Sequence, residues 1–469
     1  MDEIIYASAA ELARAIRAKE VSSKEVVDAY LERIEKVNPK LNAVVQLTAD
    51  AARAQAREAD AALARGKIKG LLHGVPITIK DNIETAGVIC TAGTKGRVSF
   101  VPTQDATVVA RMRTAGAIML GKTNLPELGL AFETDNLVYG RTNNPYDLSR
   151  TPGGSSGGEA AIIAAGGSPL GLGNDYWGSV RLPSHFCGIA GIKPTAGRVP
   201  RTGLFPFGHV PGRDMLLQIG PMARFVEDLI LTLPIIAGVD WRDPAVVPML
   251  LGDPKRVDLK SLQIAYYTDN GIMSPTPETV KVVQRTAKAL SDAGMTVEEA
   301  CPHGIEQTFS ICNGLFASAT DGGTGMEKLL KMVGTTEMHP WMQGLLESCR
   351  RGALTTSQLS GLMTQWGKFC SSMLSFMEKH DVIICPVCAF PAPTHGASFD
   401  LDGSIVPAFS YTMTYNLTGW PGVVVRAGTS PEGLPIGVQV VARPWRDDVA
   451  LAVAQHIETV SRGWQRPSL

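Results

Sequence analysis

Helical and strand patterns alternate along this chain, and that alternation restricts its fold more than any other feature of the sequence. Residues 51–65 form an alanine-rich helical pattern, and residues 75–79 form a short apolar strand pattern. Further helix and strand patterns follow at 107–120, 263–293 and 422–459. Alternation of this kind is typical of a sheet with helices packed on both of its faces. The sequence therefore predicts an α/β fold.

Composition is compatible with one large globular unit. The chain has 469 residues, 45% of them hydrophobic, which is enough to bury a sizeable core. It contains no internal repeat and no low-complexity linker, so we expect residues 1–469 to form a single domain. Weak periodicity between about 300 and 375 predicts a variable helical cover, and about 380–460 should supply the last strands and a closing helix.

Charge and hydropathy restrict the partners of the chain. The 44 basic and 45 acidic residues give a net charge of -1 without any block of like charge, which does not favour a nucleic-acid partner. A small neutral molecule suits this surface better. The first 30 residues lack the features of a secretory signal, and no apolar run reaches the ~18 residues that a membrane span needs. We expect a cytoplasmic protein without a membrane span.

The cysteines do not indicate a disulfide framework, because eight of them are spread over a long chain. One local pair, Cys385 and Cys388, follows the apolar run 382–384. No second Cys or His pair lies at the spacing of zinc ligands. The sequence therefore predicts thiols at the end of a buried strand.

A segment rich in glycine and serine is the most unusual part of the sequence. Nine of the thirty residues at 152–181 are glycine, which is expected where a backbone turns sharply or approaches a ligand closely. The segment is either a tight structural loop or an active-site loop, and Ser155 and Ser179 are candidate nucleophiles within it. No histidine lies in a motif beside them, so the base could be Lys80 at the end of an apolar strand, where burial would lower its pKa. From spacing alone, a surface ion pair between Lys80 and Asp81 stays open.

Three linked blocks, with a fourth directly after them, resemble the amidase signature family. The blocks are GVPITIKD at 74–81, GGSSGG at 153–158 and GNDYWGSVRLP at 173–183, followed by CGIAGIKPT at 187–195. The match covers about 65–235, with weaker similarity at 1–60 and 380–460. Within the family, the chain looks closest to the bacterial branch of nylon-oligomer and urethane hydrolases, and its central block is similar to fatty-acid amide hydrolase.

The resemblance implies a fold and a catalytic triad. The fold is a mixed, twisted central sheet covered by helices. Ser179 is then the nucleophile, and Ser155, on a cis peptide bond after Gly154, links it to Lys80 as the terminal base. Ser156 supports this relay by hydrogen bonding. The family needs neither a metal nor a cofactor.

The resemblance also implies how the substrate is bound. The backbone amides of Tyr176, Trp177, Gly178 and Ser179 would form an oxyanion hole, and Gly129 and Leu130 would line the acyl pocket. The family usually has glycine at the position of Trp177 and a small residue or isoleucine at that of Tyr176. If the backbone keeps its path, the two rings reshape the pocket and favour flat or aromatic amides or carbamates. If it does not, the oxyanion hole is damaged.

Two other features of the sequence support less specific predictions. The loop at 203–208 could border the entrance with its phenylalanines, or it could be an ordinary packed loop. Asp175 and Arg181 should anchor the active-site loop, because a buried charge without a partner is costly.

Three other functions stay open at this point. Gly-x-Ser155-x-Gly also matches the nucleophile elbow of α/β-hydrolases, with His395 as a candidate triad member. The chain could instead be a binding protein that kept the fold without the activity. Finally, it could be the amidase subunit of a glutamine-dependent tRNA amidotransferase, which would need partner subunits. The sequence predicts no oligomeric state.

Overall fold

One mixed β-sheet forms the centre of the protein. The computed structural model describes residues 2–206, 215–399 and 404–469. Within these residues, eleven strands lie in the order β1-β3-β2-β4-β6-β5-β10-β11-β9-β7-β8. The strands are β1 (Val44–Leu47), β2 (Pro76–Lys80), β3 (Ile118–Thr123), β4 (Leu170–Asp175), β5 (Ala190–Lys193), β6 (Gln218–Ala223), β7 (Gln263–Tyr266), β8 (Thr296–Glu299), β9 (Val382–Pro386), β10 (Gly422–Thr429) and β11 (Pro435–Ala442).

Helices cover both faces of this sheet, as the sequence predicts. The described residues form α1 (Asp2–Tyr6), α2 (Ala9–Ala18), α3 (Ser23–Leu41), α4 (Ala49–Ala64), α5 (Thr107–Thr114), α6 (Gly157–Ala164), α7 (Arg181–Phe186), α8 (Val226–Ile236), α9 (Pro277–Asp292), α10 (Thr308–Ala319), α11 (Thr324–Met332), α12 (Pro340–Arg351), α13 (Thr356–Phe376), α14 (Ser410–Leu417) and α15 (Asp447–Ser461). The α/β fold class is therefore confirmed. None of these helices has both the length and the apolar character that crossing a bilayer requires.

The sheet is parallel in places and antiparallel in others. Strand β2 runs parallel to β3 and β4, and β7 runs parallel to β8 and β9. The β4–β6–β5–β10–β11–β9 stretch between them is antiparallel throughout. Because β2 and β4 are parallel neighbours, their carboxyl ends lie side by side at one edge of the sheet.

The central strands are buried on both faces. Every residue of β2, β3, β4, β6, β9 and β11 is buried. Burial on both faces explains why the sequences of these strands do not alternate between polar and apolar residues. The predicted helical cover at about 300–375 consists of α10 to α13. The single-domain organisation stays a prediction.

Candidate active site

The carboxyl ends of β2 and β4 bring a lysine and two polar side chains together. Lys80 is the last residue of β2, and Asn174 lies near the end of β4. The Lys80 Nζ atom is 2.6 Å from Ser155 Oγ and 2.5 Å from Asn174 Oδ1. Lys80 is fully buried, and Ser155 and Asn174 are 1% and 5% exposed. The amine is therefore held between a hydroxyl and an amide oxygen, away from bulk water.

Burial lowers the pKa of Lys80 well below its usual value, because the charged ammonium is disfavoured away from water. The negative charges of Asp175 and Glu159 oppose this effect. Burial in turn raises the pKa of Glu159 to about 7. Its carboxylate accepts hydrogen bonds from the hydroxyls of Thr78 and Thr123. These surroundings allow Lys80 to be a neutral amine that accepts a proton.

The segment carrying Ser155 is packed tightly against the loop that precedes it. The Gly154–Ser155 peptide bond is cis. A Cβ atom on Gly154 would lie 2.5 Å from the Ala131 carbonyl oxygen and 2.7 Å from Glu133 N, so there is no room for a side chain. The Ser156 hydroxyl donates to the Asn174 carbonyl oxygen at 3.3 Å. Ser156 therefore joins the serine segment to the end of β4.

Ser179 lies next to this group. The Ser156 N–H donates to the Ser179 carbonyl oxygen at 3.1 Å, which sets the two serine segments against each other. Ser179 is 5% exposed. Within the described chain its hydroxyl has no hydrogen-bond partner, whereas Ser155 contacts Lys80. The contact between Lys80 and Ser155 in the predicted relay is thus formed, whereas the hydrogen bond between Ser155 and Ser179 is not. Catalytic hydrogen bonds are often long or misaligned until substrate binds.

Asp175 holds the loop that leads to Ser179. Its carboxylate accepts hydrogen bonds from the backbone N–H groups of Gly178 at 2.7 Å and Val180 at 3.2 Å. The N–H of Gly178, one of the predicted oxyanion-hole donors, is thus hydrogen-bonded to Asp175 in this structure, and its role in the hole stays a prediction. The backbone N–H groups of Trp177 and Ser179 have no acceptor in the described part of the chain. They stay candidates for the oxyanion hole.

Arg181 and Asp175 form a fully buried ion pair that anchors this loop. The two side chains meet at 2.9 Å, and Arg181 also donates to the Thr412 carbonyl oxygen at 2.9 Å and to Gln439 Oε1 at 2.6 Å. Burial alone would raise the pKa of Asp175, but the Arg181 guanidinium lowers it below its usual range. The predicted anchoring role of these two residues agrees with these contacts.

An apolar cavity opens beside Ser179. It encloses about 360 Å³, including open solvent at its mouth. The ring centroids of Trp177 and Phe316 are 4.9 Å apart, and those of Tyr176 and Trp177 are 5.1 Å apart. The lining residues are Gly129, Leu130, Ala131, Phe132, Tyr176, Trp177, Ser179, Phe316, Leu345 and Ile405. The two aromatic residues of the signature loop and the two predicted pocket residues therefore share a cavity with Ser179.

Phe205 does not supply the aromatic border that was one of the two alternatives for the loop at 203–208. Phe205 packs on the Arg97 guanidinium, 3.8 Å from the ring centroid, and does not line the cavity. This contact favours the packed-loop alternative for Phe205. Phe207 and Gly208 lie outside the described residues.

The structure gives little support to a histidine-based triad. His395 Nδ1 lies 3.9 Å from Glu133, and its Nε2 lies 3.4 Å from the Leu148 carbonyl oxygen. Ser155, the nucleophile in that hypothesis, contacts Lys80.

The cysteine pair lies where the sequence predicts it. Cys385 is in β9, Cys388 follows it, and both are buried free thiols. They pack at the end of this strand.

Sequence reasoning missed four residues of the site. Asn174 is quoted in the signature block, but its contact with Lys80 needs the parallel pairing of β2 and β4, which the sequence does not reveal. Phe316 and Leu345 come from the helical cover and Ile405 from the segment before α14, far along the chain from Ser179. The apolar character of α10 and the amphipathic pattern of α12 were the available signals, and they do not specify what the helices cover.

Comparisons with known proteins agree with this geometry. The family pattern described as Amidase matches residues 25–451. A glutamyl-tRNA(Gln) amidotransferase subunit of Cyanothece sp. is 36% identical over 478 residues, covering 96% of this chain and 97% of that protein. A solved structure of 6-aminohexanoate cyclic dimer hydrolase with its substrate has a TM-score of 0.87 and 27% identity, and 99% of each chain is covered. A bacterial aryl acylamidase of the amidase signature enzymes has a TM-score of 0.85 and 26% identity, with 97% and 96% covered.

Proposed function

This chain belongs to the amidase family, and we propose that it is a serine hydrolase that cleaves the C–N acyl bond of aryl amides or aryl carbamates. The observation that carries the proposal is the buried Lys80 amine, 2.6 Å from Ser155 Oγ, in a site whose cavity is lined by Ser179 and aromatic rings. A neutral amine of this kind is a base, and serine is inert without one.

In the proposed reaction, Lys80 takes a proton from Ser155 as Ser155 takes one from Ser179. The Ser179 oxygen then bonds to the carbonyl carbon. The carbonyl oxygen becomes negative and accepts hydrogen bonds from the N–H groups of Trp177 and Ser179, each worth about 3 to 4 kcal/mol. The relay returns the proton to the leaving nitrogen as the C–N bond breaks, since an amide anion is a poor leaving group. Water then releases the acid from the acyl-enzyme by the same route.

The aryl preference rests on the shape and chemistry of the cavity. Tyr176, Trp177, Phe132 and Phe316 present ring surface next to Ser179, and Leu345 adds an aliphatic wall. Flat aromatic groups stack well on such surfaces. The described lining residues carry no charged side chain. The cavity therefore suits a neutral aryl substituent beside the scissile carbonyl.

The amidase subunit of an amidotransferase is the second candidate function, and the 36% identity over nearly the whole chain favours it. An enzyme that takes nitrogen from free glutamine must hold an ammonium and a carboxylate group close to the scissile amide. The described cavity offers neither an acidic nor a basic partner for them. Charged groups without partners bind poorly in an apolar site, so this observation favours the aryl amidase.

Labelling with a fluorophosphonate and a substrate panel together test the proposal. We expect covalent label only on the Ser179 peptide of the purified chain, and hydrolysis of an anilide and an aryl carbamate in preference to acetamide. Ser179→Ala should abolish labelling and lower kcat/KM by about 10⁴-fold or more. Ser357→Ala, on the exposed surface of α13, is the matched control and should change kcat/KM less than about twofold.

Four outcomes would contradict parts of the proposal. Full turnover by Ser179→Ala would exclude Ser179 as the nucleophile. Preference for acetamide over anilides would defeat the aryl cavity. Activity on glutamine that appears only with added partner subunits would favour the amidotransferase, and absence of any labelling would favour a binding protein.

A further inference from the structure

A second cavity lies directly beside the one at Ser179. Its lining includes Phe316, Leu345 and Ile405, which also line the first cavity. The second cavity encloses about 600 Å³, including open solvent, and we call it the outer groove. The three shared residues show that the two cavities are adjacent.

The boundary between the two cavities is built by the helical cover. Phe316 lies on α10 and Leu345 on α12, and these two helices pack against each other. The Phe316 ring also contacts Trp177, at 4.9 Å between centroids. Phe316 is therefore positioned between the loop of Ser179 and the outer groove.

The chemistry of the outer groove differs from that of the inner cavity. Asn313, Ser348 and Ser404 bring amide and hydroxyl groups to it, whereas the inner cavity is mostly apolar. Its described lining residues carry no charged side chain. Asn313 is exposed and Ser348 is partly exposed, so the groove is accessible from solvent. It suits a ligand group that forms hydrogen bonds and carries no charge, because an ion would find no counterion there.

We propose that the outer groove is a second substrate subsite. It takes an uncharged, hydrogen-bonding extension of a substrate whose aryl amide lies against Ser179, and the extension crosses the boundary formed by Phe316, Leu345 and Ile405. The preferred substrate is thus an elongated neutral amide, flat at the scissile end and polar at the far end. This inference rests on the proposed amidase function.

The test compares two anilides that differ only in length. One is unsubstituted, and the other carries a neutral chain of three ethylene glycol units on the ring. We expect the wild-type protein to show a kcat/KM for the long anilide about tenfold above that for the short one, as a modest added subsite provides. A chain of equal length ending in a carboxylate should lose this gain. Equal values for the short and long neutral anilides would overturn the proposal.

Two substitutions fill the groove from opposite walls. Ser348→Trp on α12 and Asn313→Trp on α10 should each lower the ratio of the long to the short kcat/KM by about tenfold. Gln343→Trp places the same ring on an exposed position of α12 outside the groove, and it should leave the ratio within about twofold. A ratio unchanged by both groove variants would also overturn the proposal.

A binding measurement separates this inference from the proposed function. Calorimetry with the Ser179→Ala protein reports the affinity for the long and short anilides without turnover. If no anilide is hydrolysed, the amidase proposal fails, while a Kd for the long anilide about tenfold lower than for the short one still supports the groove. Equal affinities overturn the groove even if the short anilide is a good substrate.

Discussion

At the scale of single residues, the orientation of the Lys80 amine is the central feature of the site. A neutral amine has two N–H groups and one lone pair. The Asn174 Oδ1 atom is only an acceptor, so an N–H of Lys80 points to it at 2.5 Å. The lone pair is then free to face Ser155 Oγ at 2.6 Å. In the proposed reaction, Asn174 is therefore a positioning residue for Lys80.

Asn174→Asp tests this role through the pH dependence of activity. A carboxylate at this distance favours the charged ammonium, so it should raise the pKa of Lys80 by about 1 to 3 units. The base is active when neutral, and its neutral fraction at a given pH falls as its pKa rises. We expect the acidic limb of the kcat/KM profile for an anilide to move to higher pH by about one unit or more, with activity recovering at alkaline pH.

Asn174→Ala is the uncharged control for that substitution. It removes the acceptor without adding charge, so it should lower kcat while the acidic limb does not move upward. A limb that stays in place in Asn174→Asp would show that residue 174 does not act on the base.

Candidate catalytic residues were easier to identify in the sequence than the contacts of their neighbours. Lys80, Ser155 and Ser179 could be named because each lies in a recognisable block, and the structure brings Lys80 and Ser155 into contact. Gly178 is predicted to be an oxyanion-hole donor, and the hydrogen bond from its N–H to the Asp175 side chain could not be predicted. A loop amide has no pattern in the sequence that shows which acceptor it will meet.

At the scale of elements, helix starts were easier to predict than helix ends. Ser8 with Glu11 and Ser22 with Glu25 predict capping boxes, and both are formed. The helical pattern that follows the Ser22 capping box predicts a helix that stops at Pro39, yet α3 continues to Leu41. The proline lies in the last turn, where its missing N–H costs one hydrogen bond, and the Asn42 N–H closes the helix on the Asn38 carbonyl oxygen at 2.7 Å.

The contact between α2 and α8 should make stability depend on pH. Asp228 of α8 is fully buried and accepts a hydrogen bond from the Ala10 N–H at 2.9 Å, and its Oδ2 has no partner within the described chain. Burial raises its pKa to about 7, and the nearby Glu458 is raised to about 7 as well. The fold favours the protonated acid. The contribution of Asp228 to the free energy of unfolding is complete below its pKa in the unfolded chain, near 4. It is lost as pH rises through about 7.

Asp228→Asn should therefore stabilise the protein at pH 8. The amide keeps the acceptor for Ala10 and removes the buried charge. Urea unfolding at pH 5 and pH 8 measures the effect. We expect the gain in the free energy of unfolding, relative to the wild-type protein, to be about 2 to 4 kcal/mol larger at pH 8 than at pH 5. Asp50→Asn, in the first turn of α4 and exposed, is the control and should show no such difference. An equal effect of Asp228→Asn at both pH values would contradict the assignment.

At the scale of the whole molecule, the presence of a sheet could be predicted but not its order. Local patterns identified β2, β3, β7, β10 and β11, since each is an apolar run bounded by turns. The short β1 and the glycine-rich β4 lack that pattern. The order of eleven strands depends on contacts between residues hundreds of positions apart, as in the pairing of β5 with β10. No local signal encodes such pairings.

A buried ion pair ties the C-terminal helix to the middle of this sheet. Asp447, the first residue of α15, contacts Arg198 at 2.7 Å and accepts hydrogen bonds from the Thr195 N–H and hydroxyl just after β5. Removing one partner of a buried pair leaves an uncompensated charge. We expect Asp447→Ala to lower the free energy of unfolding by about 3 to 5 kcal/mol in urea titrations.

An exposed ion pair provides the matched control for Asp447→Ala. Asp292 meets Lys288 at 2.9 Å on the surface of α9. Asp292→Ala should cost less than about 1 kcal/mol, because water screens such pairs. A similar loss in both variants would show that burial does not strengthen the Asp447 contact.

The complete burial of Lys80 has a consequence for the fate of a single hydrogen atom. The amine and its two contacts, Ser155 and Asn174, are at most 5% exposed, and a substrate over Ser179 would close the remaining route to water. In the proposed reaction, the hydrogen that Ser155 takes from Ser179 cannot exchange with the surrounding water before the C–N bond breaks. The departing amine thus carries a hydrogen that the Ser179 hydroxyl held before the reaction. The isotope of this hydrogen is set when the hydroxyl exchanges with solvent, before the substrate binds.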